Sequence, residues 1–297
     1  MNAAMRTPSP LAPILADAAT GECRRALRAL GDARQRHRGI HEARKSLRRL
    51  KSLLRLGAVS FAESLPSLEK AIDRLAVGLS PLRDAHVAVE TARMLAGKAE
   101  GSGTDTEAAG NADADAWARA IEQLASRSEG RLAAALIKDP GFQGRRHEVG
   151  ELARRVEALP WQRLTVEEIE FALAHSERRV AKARKRMRKA ATVANLHRWR
   201  RRARRLRMQL ELLRKARKAA SLPTPHHAGH HKALAKGMSS LSDAIGARQD
   251  LRLLREVLRT VADADTAPAL VHAASRALKA HRMPADAPGV PGIDTSV

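Results

Sequence analysis

His41 to Leu56 read "HEARKSLRRLKSLLRL", and His197 to Leu212 read "HRWRRRARRLRMQLEL". Sliding the chain so that His41 lies on His197 also pairs Arg44 with Arg200, Arg48 with Arg204 and Arg49 with Arg205. The same shift pairs Leu50 with Leu206, Lys51 with Arg207 and Leu54 with Leu210. Both stretches are made of good helix formers with apolar residues at helical spacing. On a helical wheel, His41, Arg44, Arg48, Lys51 and Arg55 share one face, flanked by Lys45, and Leu47, Leu50 and Leu54 take the other. The basic stripe is roughly 20 Å long. In the second stretch His197, Arg200, Arg201, Arg204 and Arg207 form the stripe, opposite Trp199, Leu206 and Leu210. Glu211 stands where the first stretch has Arg55, so the second stripe ends earlier.

The rest of the chain is helical in pattern as well. β-branched residues are sparse, and no stretch alternates like a strand. Breakers divide it into helices over about Leu11–Arg36, Ile40–Leu56, Ser67–Val77, Leu82–Leu95, Ala116–Lys138 and Glu148–Leu159. Further helices are expected over Val166–Lys189, Ala194–Ala219, His231–Ile245, Ala247–Val261 and Ala267–Ala280. A fainter match follows each stripe, "GLSPLRDAHVAV" from Gly78 and "DAIGARQDLRLL" from Asp243, with a small-residue break before Asp84 and Asp250. Both aspartates read as structural, at a helix start or orienting an arginine. The expected fold is therefore all-α, one helical unit used twice about an approximate two-fold axis. Half one covers about 11–158 and half two about 165–281 of a domain spanning 1–282. Residues 97–116, rich in Gly, Asp and Ala, read as a mobile acidic loop, and 283–297 as a flexible tail.

Charge is the dominant compositional fact. Among 297 residues, 55 Lys and Arg oppose 32 Asp and Glu, a formal net charge of +23. From Arg178 to Lys218 the sole acidic residue is Glu211. An ordinary solvated helix intersperses acids with bases in i,i+4 pairs. Repulsion on this scale opposes folding unless an anion relieves it. Arginine's predominance points to phosphate, because its planar fork grips two oxygens and stays charged. Two facing stripes would make a groove that neutralises a linear polyanion along its length, with His41 and His197 as further donors.

Other classes fit less well. With no Tyr, three Phe and three Trp, the chain has few stacking platforms for single-stranded nucleic acid. It has no helix-turn-helix signature, and a duplex is too thick for a pore between packed bundles. Nucleic-acid binding through the same basic surface is the alternative. Cys23 is the only cysteine, which excludes an internal disulfide and fits a reducing compartment. The first residues do not read as a secretory signal and no stretch reads as a membrane span, so a cytoplasmic location is expected. The histidines of "HHAGHH", His226, His227, His230 and His231, have i,i+4 spacings, but Pro223, Pro225 and Gly229 argue for a solvated turn over a metal site. No P-loop and no convincing nucleophile–base set is present. No metal, no cofactor and no catalysis are expected. A polyphosphate-processing enzyme is the least favoured reading.

At these residues the sequence resembles the CHAD family, the conserved histidine α-helical domain. Its two hallmark segments read approximately H-x-x-R-x-x-x-R-R-L-R and H-x-x-R-x-x-x-K-x-L-R-Y, and this chain supplies "HEARKSLRRLK" and "HRWRRRARRLRM". "PLRDAHV", with Arg83 and Asp84, and "IGARQD", ending at Asp250, resemble the family's two Arg-Asp segments. The resemblance implies two similar four-helix bundles around a central basic pore, binding of inorganic polyphosphate there, and association with polyphosphate granules. It would give binding roles to His41, Arg44, Arg48, Arg49 and Lys51, and to His197, Arg200, Arg204 and Arg207. Arg49 and Arg205 fall at the edge of the stripes, flanking the pore. Met208 stands where the family commonly has Tyr, and Lys51 replaces an Arg. The triphosphate-tunnel signature E-x-E-x-K, which often accompanies the family, is unmatched: "EIEFA" ends in Ala172.

Overall fold

In the computed structural model, which describes residues 7–100, 107–223, 228–262 and 265–281, the chain is all-α. The described residues form ten α-helices and no strand. They are α1 (Ala12–Gly31), α2 (Arg36–Leu54), α3 (Leu65–Gly78), α4 (Ser80–Glu100) and α5 (Glu107–Lys138). After these come α6 (Gln143–Glu157), α7 (Val166–Lys189), α8 (Val193–Ala219), α9 (Ala228–Val261) and α10 (Ala267–Ala280).

The caps are local and readable. Thr165 accepts the Glu168 N–H at 3.2 Å to start α7, and Thr192 accepts the Asn195 N–H at 3.2 Å to start α8. The break between α1 and α2 lies at 32–35 rather than after Arg36. There the Asp32 carboxylate accepts the backbone N–H groups of Arg34 and Gln35 at 3.0 and 3.1 Å, a side-chain turn that competes with helix.

Two expectations change. Residues 97–116 are mostly helix: α4 runs on to Glu100 and α5 begins at Glu107, leaving 101–106 outside the described residues. Alanine explains the gain, since "EAAGNADADA" carries five of them and costs little to hold helical. Burial of Ala116 and Trp117 anchors that extension. Gly246 does not break the chain either, for α9 is continuous through it. A single glycine costs a helix only about 1 kcal/mol and removes no hydrogen bond, unlike proline. The tail at 283–297 lies outside the described residues.

The chain divides into two compact units, and each takes helices from both halves of the sequence repeat. Among the described residues, the first comprises those within 7–76 and 144–245, the second those within 77–143 and 246–281. In the second, α4, α5, the end of α9 and α10 enclose a core of Val89, Trp117, Leu124, Leu254, Leu258 and Leu270. In the first, α1 and α2 approach so closely that a Cβ on Gly39 would sit 2.2 Å from the Ala29 carbonyl oxygen. Only glycine fits there. The α2 leucines Leu47, Leu50 and Leu54 are buried, as are Trp199 and Leu206 of α8, which sends the basic stripes to the opposite sides of both helices.

Candidate anion-binding site

The two repeated helices meet in the first unit. Ser52 and Met208, 156 residues apart and matched by the repeat, touch: the Ser52 hydroxyl lies 3.6 Å from the Met208 sulfur. One residue on, the Gln209 side-chain amide donates to the Ser52 carbonyl at 3.1 Å. Met208 is 8% exposed. The departure at this position therefore falls on a packing contact between α2 and α8.

Beside this crossing the stripes converge. The Arg204 guanidinium is pushed down to about 9, first by burial and then by Arg200, Arg48 and Arg207, while Asp243 opposes the shift. Burial and like charge act together here, both disfavouring the cation. Arg204 is still charged at neutral pH, so the fold holds a partly desolvated cation among like charges.

The partners of each side chain differ between the helices. On α8, Arg200 Nε donates to the Ser242 carbonyl at 3.1 Å and Arg204 Nε to the Ser242 hydroxyl at 3.3 Å. Arg207 Nη1 donates to Glu211 at 3.2 Å and reaches the Ser239 hydroxyl at 3.5 Å. Hydroxyls and carbonyls orient a guanidinium without neutralising it. On α2, Arg44 donates to the Ala76 carbonyl in the last turn of α3, where the helix dipole favours a cation. Lys51 is ion-paired with both oxygens of Asp73 at 2.7 and 2.6 Å. A compact ammonium suits that site, which accounts locally for lysine in place of arginine.

The structure thus gathers Arg48, Arg200, Arg204 and Arg207, with Arg44 and Lys51 along α2. Arg55 departs from the wheel's expectation. Helix α2 ends at Leu54 and Arg55 opens a short 3-10 turn. There it forms a two-pronged pair with Glu69 of α3 and acts on Arg205 rather than on Arg204. His41 is half exposed, with Nε2 3.9 Å from Glu42. His197 and Arg201 are exposed and Arg49 is half-buried. Sequence reasoning missed the acceptors on α9, Ser239, Ser242 and Asp243, and the α3 carboxylates Glu69 and Asp73. The carboxylates at i and i+4 of one helix were the available signal. Nothing local marks the serines as partners of α8.

Of the four histidines in "HHAGHH", His226 and His227 lie outside the described residues. No group of three or more His, Cys, Asp or Glu side chains is gathered among the described residues, and no described helix is long and apolar enough to cross a membrane.

The sequence pattern of the CHAD domain matches residues 18–259. The chain belongs to the CHAD family. Its fold is similar to the crystal structure of the CHAD domain from the plant Ricinus communis, with a TM-score of 0.64 and 20% identity over 96% of this chain and 91% of that one. It is also similar to PptA from Streptomyces chartreusis, with a TM-score of 0.57 and 15% identity over 93% of this chain and 97% of that one. No curated protein matches the chain's sequence.

Proposed function

We propose that this CHAD protein binds inorganic polyphosphate without turning it over. The ligand runs along Arg44, Arg48 and Lys51 of α2 and Arg200, Arg204 and Arg207 of α8. His41, His197, Arg49 and Arg201 add donors beside the stripe, and the bound anion recruits the protein to polyphosphate granules. The observation that carries this reading is the convergence of Arg48, Arg200 and Arg207 on the half-buried Arg204. A linear anion with a charge on every unit relieves that repulsion repeatedly, and the guanidinium forks match its oxygens. Family membership supports the same ligand. The carboxylates nearest the stripe favour binding over catalysis, because Asp73 is engaged by Lys51, Glu211 by Arg207 and Asp243 by the Ser239 hydroxyl. Carboxylates so paired are poorly disposed to hold a divalent metal for phosphoanhydride cleavage.

Competition binding at about physiological salt tests the proposal. Labelled long-chain polyphosphate is displaced by unlabelled polyphosphate, duplex DNA, RNA or heparin, with the Arg44→Ala/Arg200→Ala double variant alongside. Preference for polyphosphate that the double variant loses is the expected result. Equal displacement by all four polyanions would reduce the stripes to a charged surface and restore the nucleic-acid reading. Release of orthophosphate that disappears on changing His41 or His197 alone would make the protein an enzyme.

A further inference from the structure

A second group of cations lies away from the stripe, between the end of α2, α7 and α8. It surrounds a cavity of about 210 Å³ whose lining includes Arg55, Arg179, Arg205, His175, Glu168 and Phe171. Phe171, His175 and Arg179 are spaced i, i+4, i+8 and so share one face of α7. Arg205 enters from α8.

The two carboxylates at hand are already committed. Glu168 accepts the backbone N–H groups of Val59 and Ser60 at 2.7 and 2.8 Å, and its other oxygen takes the Ser60 hydroxyl. Glu69 holds Arg55 with both oxygens. What remains is an excess of positive charge. Arg205 is half-buried, and among the described residues its guanidinium makes no hydrogen bond or ion pair. It is pushed down to about 10 by burial, Arg55, Arg179 and Arg202, with Glu69 opposing. His175 is lowered by burial and then by Arg179, Arg178, Arg55 and Arg202, so it stands neutral with one N–H to give. A half-buried guanidinium with no acceptor among other cations is a costly arrangement for an empty fold. It is an economical one for a fold that takes up an anion.

We propose that this cavity is a second anion site, distinct from the α2–α8 stripe, which receives a phosphate group of orthophosphate or pyrophosphate size on Arg205, Arg179 and His175. Size and charge select the ligand. The cavity, about 210 Å³ and open to solvent, takes a group of phosphate or pyrophosphate size within its walls. Two arginine forks approaching from different helices suit a tetrahedral dianion better than a planar carboxylate of single charge. Phe171 and Val59, each 61% exposed, form an apolar mouth, and the Arg178 guanidinium lies 5.9 Å from the Phe171 ring. The phosphate can arrive as free pyrophosphate or as the end of a polyphosphate chain.

Calorimetric titration of the full chain with pyrophosphate tests the site. Four proteins are compared: wild type, Arg205→Met, Phe171→Glu and the stripe variant Arg44→Ala/Arg200→Ala. Single-site binding is expected in wild type, weakened tenfold or more in Arg205→Met and in Phe171→Glu, and changed less than twofold in the stripe variant. Phe171→Glu sets a competing carboxylate at an exposed position, so it reports even if Arg205→Met misfolds. Competition between pyrophosphate and long-chain polyphosphate would assign the group to a chain end, and simultaneous binding would assign it to free pyrophosphate. No binding to wild type at millimolar pyrophosphate, undiminished binding in Phe171→Glu, or binding lost in the stripe variant would overturn the proposal. Failure of polyphosphate to bind the stripe leaves this test intact, so the two ideas fail separately.

Discussion

Arg204→Met should stabilise the polyanion-free protein while weakening its grip on polyphosphate. The guanidinium falls from its ordinary value to about 9 in the fold, equivalent to ~5 kcal/mol of disfavoured protonation. The sign follows from linkage. A base whose pKa is lower folded than unfolded destabilises the fold at every pH below the folded value. The penalty fades only as pH rises from about 9 towards the ordinary arginine value. Methionine keeps much of the apolar stem and discards the charge, but it also forfeits the 3.3 Å bond to the Ser242 hydroxyl. That loss costs about 1 kcal/mol or slightly more, and solvent relaxation removes much of the rest. A net gain of ~1–2 kcal/mol remains, in line with replacement of buried ions by apolar groups, which raises Tm by roughly 2–3 °C in a chain of this size. Thermal unfolding followed by far-ultraviolet circular dichroism, at low salt and after removal of polyanions, measures it. In 0.5 M salt the gain should shrink as screening relieves the same repulsion in wild type. A lower Tm for Arg204→Met at low salt would refute the reasoning. It would mean that Ser242 and Asp243 already satisfy the guanidinium.

Three further outcomes follow from packing and burial. Gly39→Ala should lose about 3 kcal/mol or more in urea unfolding, because its Cβ would meet the Ala29 carbonyl at 2.2 Å and neither backbone can yield cheaply. Met208→Tyr, which restores the residue common in the family, should cost ~1–3 kcal/mol through crowding against Ser52. Competition binding should show no tighter hold on polyphosphate in that variant. Cys23 is buried and its thiol is pushed up to about 12, by burial first and then by Glu157 and Glu22. It should resist a disulfide reagent at pH 8 in the native protein and react fully in urea.

What the sequence made legible was whatever depends on near neighbours. The bounds expected for α7 and α10 are those observed, because Thr165 caps one helix and a proline opens the other. The division of α2 into buried leucines and a basic face needed only the helical period. Where the pattern misled, a second element intervened. Arg55 shares a wheel face with Arg48, but the helix ends beneath it and Glu69 draws it to the other cluster. The cavity at Arg205 was invisible because it depends on α7 packing against α8, which no spacing within either helix announces.

Pairing also makes the two copies of the repeat unequal, although their arginines match. The α2 copy lies against α3, which offers Asp73 to Lys51 and Glu69 to Arg55. The α8 copy lies against α9, which offers the hydroxyls of Ser239 and Ser242 and a main-chain carbonyl. An ion pair must be disrupted or shared before an incoming phosphate receives full attraction, whereas a hydroxyl-held guanidinium keeps its charge available. On the proposed function, Arg204, held by a hydroxyl, therefore carries more of the binding free energy than Lys51 and Arg207, whose charges Asp73 and Glu211 already meet. Positions along one stripe that match in geometry then differ in strength.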